Sequence, residues 1–557
     1  MYIFVQSRII LLILLLFPLA LCAQVKRYVV TFRDKKGSPY TLSDPQRYLS
    51  AKALMRRQHQ QIAVDSSDLP VSPAYVDSLR KAGEVQVLYT LRWFNQAIIA
   101  TEDAAAIQRI SQFPFVSGAT AESRQASEQR ETPRVGRNER QAGANAGEYG
   151  GGFMQLHLNE GVFLHEKGWK GEGMVIAVLD AGFPGVDKNR AFTYLNGRRN
   201  ILATRNFSDG SGEVYGYGSH GAHVLSILAA YLPGEMIGSA PDASYVLLRT
   251  EETATESPIE EYNWVAAAEL SDSIGVDVLS SSVGYTEFDD SVFNHTYSQL
   301  DGRSTTIARG AAWAARKGIL VVNCAGNEGF SSWKYLLSPA DVDSVLAVAA
   351  VNESGQVAAF SSYGPTADGR IKPDVAALGV NTQYVNPEGR LLSGDGTSYA
   401  CPVIAGLAAC LWQAFPKRSN REIMDVIKRS SSHYTHPDNR TGYGVPNFRI
   451  AYDLLLQQEL SDTIAIRNSL GDKLLKAFPN PFTNRLNIYY KSSSSLPLQL
   501  QLADAGGKLV RSGTIPASEV IYGYFNWDKG LSGLPAGVYY LQAIQGGERT
   551  AIKVLKM

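Results

Sequence analysis

The run Met174-Val-Ile-Ala-Val-Leu-Asp180 is apolar from its first residue to Leu179 and then ends on a carboxylate. A strand that is apolar at every position is buried on both faces, the habit of a parallel sheet held between helices. The pattern recurs at Tyr245-Val-Leu-Leu248, Gly318-Ile-Leu-Val-Val-Asn323 and Val345-Leu-Ala-Val-Ala-Ala-Val351. Between these runs lie stretches with helical spacing, such as 222–231 and 307–316. Strand and helix alternating over residues 153–457 predict an α/β domain, a mostly parallel sheet with helices on both faces.

Outward from that domain the composition changes. Residues 24–120 open with the strand-like Arg27-Tyr-Val-Val-Thr-Phe-Arg-Asp34, and later alternate through 93–100 before a helical stretch at 102–110. They read as a small α+β module. Residues 121–152 are rich in Arg, Gln, Glu, Gly and Ala and almost lack large apolar side chains. They form a linker open to proteolysis, because such a composition buries too little surface to fold. After a second linker, 458–474, residues 475–557 carry short alternating strands broken by Gly and Pro, the pattern of an antiparallel β-sandwich.

The first 23 residues read as a signal peptide. Arg8 precedes the apolar run Ile9 to Leu16, and Cys22-Ala23 offers a cleavage point. The run is short of the roughly 20 residues a membrane helix needs. Leu21 stands where a lipid-attachment motif wants a small residue, which argues against an anchor on Cys22. With 45% hydrophobic and 19% charged residues the chain is globular. Lys+Arg and Asp+Glu are both 53, so nothing in the net charge points to a nucleic-acid partner. Cys401 and Cys410 lie in one helical pattern about 13 Å apart, too far for a disulfide. With Cys324 they read as buried free thiols.

Three local contexts supply a hydroxyl nucleophile, its base and a carboxylate to orient the base. Asp180 ends a buried strand, at the sheet edge where α/β proteins bind ligands. His220 opens a helix in Gly218-Ser-His-Gly-Ala-His223, and Ser398 starts another after the glycine-rich turn Gly394-Asp-Gly-Thr397. Pro402 is read as part of the first turn of Ser398's helix, where its missing N–H costs little. Asn327, in Cys324-Ala-Gly-Asn-Glu-Gly329, follows a strand and can donate its amide to an oxyanion.

In that order, the motifs VIAVLDAGF (175–183), HGAHVLS (220–226), CAGNEG (324–329) and GTSYACPVIAG (396–406) resemble the subtilase (subtilisin-like) peptidase family. The resemblance implies a subtilisin-like fold and a serine endopeptidase of proteins and peptides. It makes Asp180, His220 and Ser398 the triad, Asn327 and the Ser398 backbone N–H the oxyanion hole, and Ser282, Val283 and Gly284 the substrate-binding strand. No cofactor is required for that chemistry and no metal is expected in it. The chain departs from the family at Ala181, Ala222, Tyr399 and Leu378, where Ser or Thr, Thr, Met and Pro are usual. The 24–120 module resembles an inhibitory propeptide, released by cleavage near Arg130 to Arg140. The motifs at 477–482, 504–510 and 534–542, with the terminal Lys-Val-Leu-Lys-Met, resemble a sorting domain recognised by the type IX secretion system. Together they imply a protein that is secreted, or attached to the bacterial surface after crossing the outer membrane.

Competing readings attach to the same residues. A catalytically silent subtilase scaffold is the rival that Ala181 and Ala222 motivate, and a carbohydrate-binding role is the rival for the sandwich. His220 and His223 lack the companions of a metal site. Asp289-Asp290 is the candidate pair for a structural Ca²⁺. Glu328 reads as a solvated carboxylate, with a bias toward basic substrates as the alternative.

Overall fold

The computed structural model describes residues 26–122, 147–471, 473–492, 496–516, 522–527 and 530–557. The expected signal peptide and the maturation stretch from Arg130 to Arg140 lie outside the described residues.

Seven strands build the central sheet: β1 (Val175–Asp180), β2 (Ile201–Asn206), β3 (Ser244–Arg249), β4 (Val278–Ser281), β5 (Leu320–Cys324), β6 (Val345–Val351) and β7 (Val375–Leu378). Their order is β7-β6-β5-β4-β1-β3-β2, and every neighbouring pair is parallel. Strand order reverses between β1 and β4, so the connections leave those two strands in opposite directions. The gap this opens at their carboxyl ends is where ligands enter such sheets.

Four helices matter for the site: α1 (His220–Ala229), α2 (Ile259–Ile274), α3 (Thr306–Arg316) and α4 (Thr397–Ala414). Val175, Ala177 and Leu179 of β1 share a core with apolar side chains of α2 and α3. Ile176 and Val178, on the opposite face of the pleat, are fully buried on the side of α1 and α4. Both faces are therefore covered, as the continuous apolar strands require. Cys324, Cys401 and Cys410 are buried free thiols.

The sequence places Pro402 in the first turn of its helix. The helix begins at Thr397, and Pro402 lies inside it, in the second turn. There its missing N–H leaves the carbonyl of Ser398, four residues back, without its helical partner. Ser282 Oγ donates to that carbonyl at 2.9 Å. Proline thus frees an acceptor that ties the exit of β4 to the first turn of α4.

The N-terminal module is a four-stranded antiparallel sheet ordered Gln86–Leu91, Gln96–Ala100, Arg27–Phe32, Val116–Ala121, with helices at Ala51–His59, Pro73–Arg80 and Ala104–Ser111. It docks on α2 through buried charges. Asp272 receives Arg56 at 2.5 Å, Arg57 at 2.7 Å and Arg92 at 2.6 Å, and its side chain is fully buried. Asp68 of the module takes Arg57 and Lys317. Glu269 accepts the backbone N–H groups of Arg92 and Trp93 at 2.7 and 2.9 Å.

The segment 458–474, read as a linker, is helical as far as Leu470, within one helix Phe448–Leu470. Beyond it, the C-terminal unit packs two antiparallel sheets around one core. One sheet is Leu475–Phe478, Leu486–Lys491, Tyr522–Trp527; the other is Leu509–Ile515, Leu498–Asp504, Gly537–Gln545, Glu548–Lys556. In Leu486–Lys491, Leu498–Asp504 and Gly537–Gln545 exposed or half-buried residues alternate with buried ones such as Leu486, Ile488, Leu500 and Leu541.

Removing one partner of a buried charge network strands the others, at about 3–5 kcal/mol. Asp272→Ala in the full-length chain is therefore expected to lower the unfolding midpoint sharply in a thermal or urea melt. A melt matching the parent would show that the three guanidinium groups do not depend on Asp272.

Candidate active site

Asp180 is the last residue of β1 and is fully buried. Its carboxylate accepts the Ala181 N–H at 2.7 Å and faces His220 Nδ1, with Oδ1 at 2.8 Å and Oδ2 at 3.0 Å. A hydroxyl at position 181 is thus not needed to orient the carboxylate, because the backbone does so. His220 is the first residue of α1, and the next residue explains how it comes so close. A Cβ on Gly221 would sit 2.4 Å from Gly182 O and 2.9 Å from Asp180 Cβ. Only glycine lets the first turn of α1 press against the end of β1. Burial opposes a charged imidazole, but the Asp180 carboxylate outweighs it and holds His220 above its ordinary value.

Ser398 is the second residue of α4 and is 8% exposed. Its Oγ donates to Ser282 O at 3.3 Å. The His220 ring lies stacked near Tyr399, the residue after Ser398, with centroids 6.2 Å apart. Among the described residues no hydrogen bond joins His220 to Ser398. The structure brings Asp180 to His220 and sets Ser398 beside them, with its hydroxyl turned to Ser282.

Asn327 stands exposed in the loop after β5. The turn before it needs glycine: Gly326 has φ 106°, and a Cβ there would lie 2.6 Å from Leu337 Cγ. Asn327 Oδ1 accepts from Thr397 N at 2.9 Å and Thr397 Oγ1 at 3.0 Å. With the oxygen so engaged, Nδ2 is turned away from Thr397. A carbon placed at the Cβ position of Gly396 would be 3.8 Å from Nδ2 and 3.7 Å from the Ser398 nitrogen. The two donors therefore border one small space.

Ser282, Val283 and Gly284 run on from β4 along the same opening. Asn323 Nδ2 holds the Val283 carbonyl at 3.0 Å. Gly284 makes no hydrogen bond among the described residues, so its peptide edge is open. Buried Cys324 lies under this strand, its Sγ 3.9 Å from Val283 O, and burial pushes the thiol up to about 12.

Sequence reasoning missed several neighbours. Thr397 orients Asn327. Tyr399 stacks on Tyr384 at 5.2 Å, and Tyr384 packs on His223 at 4.3 Å, so His223 serves an aromatic cluster. Glu251 is bonded by Tyr285 and Thr250, and burial pushes its carboxyl up to about 7, with the Asp180 charge adding to the rise. The only hint of it in the sequence is the charged turn Arg249-Thr-Glu-Glu252 at the end of a buried strand. Asp289 and Asp290 cap local backbone, accepting from Glu256 N and Val292 N at 3.0 and 3.1 Å. Among the described residues no group of three or more His, Cys, Asp or Glu side chains is arranged to hold a metal.

A carboxylate, an imidazole and a hydroxyl at the switch point of a seven-stranded parallel sheet define a subtilisin-like domain. Residues 171–444 match the model of the subtilase family and belong to that family. Residues 27–137 match the Bacteroidota peptidase S8 propeptide domain, and 476–557 match a secretion-system C-terminal sorting domain. Subtilisin NAT of Bacillus subtilis subsp. natto is 30% identical over 275 residues, 48% of this chain and 63% of that protein. The chain thus spans less than two thirds of that relative. Subtilisin of Bacillus pumilus is 29% identical over 293 residues, 52% of this chain and 94% of its own length. The solved structure of MycP1 with its propeptide removed overlays at a TM-score of 0.44 and 21% identity, covering 54% of this chain and 96% of that one. The sorting domain marks the chain for export, to be secreted or held at the cell surface. No helix among the described residues is long and apolar enough to cross a membrane.

The raised His220 value sets a pH dependence. If His220 serves as the base for Ser398 it works only when neutral, so the rate at which a fluorophosphonate labels Ser398 is expected to climb with pH, with an inflection above the ordinary histidine value of 6.5. In Asp180→Asn the inflection moves down, because the charge that outweighs burial is gone. An inflection unchanged by that substitution would separate His220 from Asp180.

Proposed function

We propose that this chain is a secreted serine endopeptidase that hydrolyses peptide bonds in proteins and peptides through an acyl-enzyme. The observation that carries the reading is the Asp180–His220 bond beside Ser398, supported by the Asn327 amide and the Ser398 N–H bordering one small space. Asp180 fixes the imidazole and stabilises it when charged. His220 Nε2 takes the Ser398 proton as Oγ attacks the scissile carbonyl. Catalytic hydrogen bonds of this kind commonly tighten only with substrate in place, so Ser398 leaves Ser282 O for His220 as the peptide arrives. Asn327 Nδ2 and the Ser398 N–H receive the oxyanion. His220 then protonates the leaving amine, and water, activated by the same base, releases the acid.

The open edge at Gly284 supports substrate binding by strand addition, with Ser282 and Val283 continuing that strand. The module at 24–120 acts as inhibitor until the 121–152 linker is cut, leaving 153–457 as the working enzyme. The sandwich at 475–557 is handed to the type IX secretion machinery.

Ser398→Ala is expected to cost about 10⁴–10⁶ in kcat, in line with subtilisin triad deletions. Peptide cleavage that survives the change would mean another nucleophile. Asn327→Ala is expected to lower kcat by about 10²–10³ with little change in KM, as removal of the corresponding donor does in subtilisin. A loss confined to KM would contradict the oxyanion role.

A further inference from the structure

We propose that Glu251 is a specificity-determining residue, drawing a Lys or Arg side chain of the substrate to the N-terminal side of the scissile bond. This rests on the peptidase reading and deepens it.

Position comes first. Arg249 closes β3 directly opposite Asp180 in the sheet register, so Glu251, two residues on, leaves the same carboxyl edge beside the triad. Its Oε1 accepts from Tyr285 Oη at 2.5 Å and from Thr250 Oγ1 at 2.7 Å. Tyr285 follows Gly284 directly, so the carboxylate is fastened to the end of the open peptide edge. Glu251 is half-buried, not sealed. It lies within electrostatic reach of both His220 and Asp180, and each of the pair Glu251 and His220 feels the other's charge. A peptide pairing antiparallel with residues 282–284, its scissile bond at Ser398 beside Ser282, would run its N-terminal portion toward Tyr285 and the carboxylate that Tyr285 holds.

Charge comes second. Both of its partners are neutral hydroxyls, and among the described residues no Lys or Arg pairs with Glu251. The guanidinium of Arg249, at the end of the same strand, is committed: it donates to Ala181 O at 3.1 Å and Asn206 Oδ1 at 3.1 Å, and lies 3.9 Å over the Tyr217 ring. The other acidic groups nearby are Glu252, Glu256 and Glu260. Glu260 is spent on the N–H groups of Glu252 and Ser257. A half-buried carboxylate without a cation carries an unfavourable charge that an arriving ammonium or guanidinium relieves.

The N-terminal module supplies a parallel. Its Arg27 reaches across to form an ion pair with Glu252 and donates to Ser208 O at 2.9 Å, while Ser208 Oγ donates to the Glu251 carbonyl at 3.1 Å. A basic side chain arriving from outside the central domain thus already settles one residue away.

The test uses mature protein and a peptide set in which each of the four positions upstream of the cut carries Lys, Arg, Leu or Glu in turn. Wild type is expected to favour Lys or Arg over Leu by about tenfold or more in kcat/KM at one upstream position, and to reject Glu there. In Glu251→Gln that ratio is expected to fall close to one, with the loss on the KM of the basic peptide. Fluorophosphonate labelling of Ser398 checks that each protein carries a formed site. A wild type that labels but shows no basic preference overturns this inference and leaves the peptidase reading standing. Equal losses on Lys and Leu peptides in Glu251→Gln also overturn it, assigning Glu251 to the support of His220 instead. Wild-type protein that neither labels nor cleaves overturns the peptidase reading, and this inference with it.

Discussion

A carboxylate without solvent at the end of β1 is the constraint on which the rest of the site depends. Asp180 is wholly buried and must be satisfied by groups from its immediate surroundings. It finds one backbone N–H from Ala181 and one imidazole from His220. The imidazole reaches it only because α1 begins with His220-Gly221, whose second residue has no side chain to hold the helix away. One unmet electrostatic demand thus fixes the start of α1, the orientation of the ring and the direction in which Nε2 points. Strand order does the remainder, since the reversal between β1 and β4 clears a gap at that edge.

The same demand appears at the docking face of the N-terminal module, with the signs shared out differently. Asp272 sits on α2, and the cations that answer it, Arg56, Arg57 and Arg92, all come from the module. Such an arrangement is specific: burying these charges is tolerable only with each partner in place. Burial of Glu269, pushed up to about 7, follows the same logic with backbone N–H groups as donors. Glu251 is the contrasting case, a carboxylate held by hydroxyls alone at the mouth of the site. The module face answers its carboxylate with guanidinium groups, whereas among the described residues no Lys or Arg pairs with Glu251.

Much of the architecture was legible beforehand because the signals are local. The apolar run at 174–179 declares a strand buried on both faces, and β1 is buried at every position. The change of period after residue 475 announces the sandwich. Residues 458–474 read as a linker, and they are helical as far as Leu470, since helix formation needs only compatible residues and a start upstream at Phe448. One local signal misled. Pro402 looked like a first-turn proline, a position that costs nothing. It stands one turn further in, and the vacancy it creates is filled by Ser282, whose hydroxyl lies far away in sequence.

The sequence by itself determined the local setting of each candidate residue: Asp180 at a strand end, His220 and Ser398 at helix starts, Asn327 after a glycine turn. Each setting is written in the few residues around it, so no distant contact is needed to read it. Only the tertiary structure decided what those groups touch. That Thr397 turns the Asn327 amide, that Ser398 presently leans on Ser282, and that Tyr285 holds Glu251 beside His220 are all consequences of strand order and register. Such partners meet through sheet pairing between segments tens to hundreds of residues apart, and no periodicity along the chain records which side chain will face which.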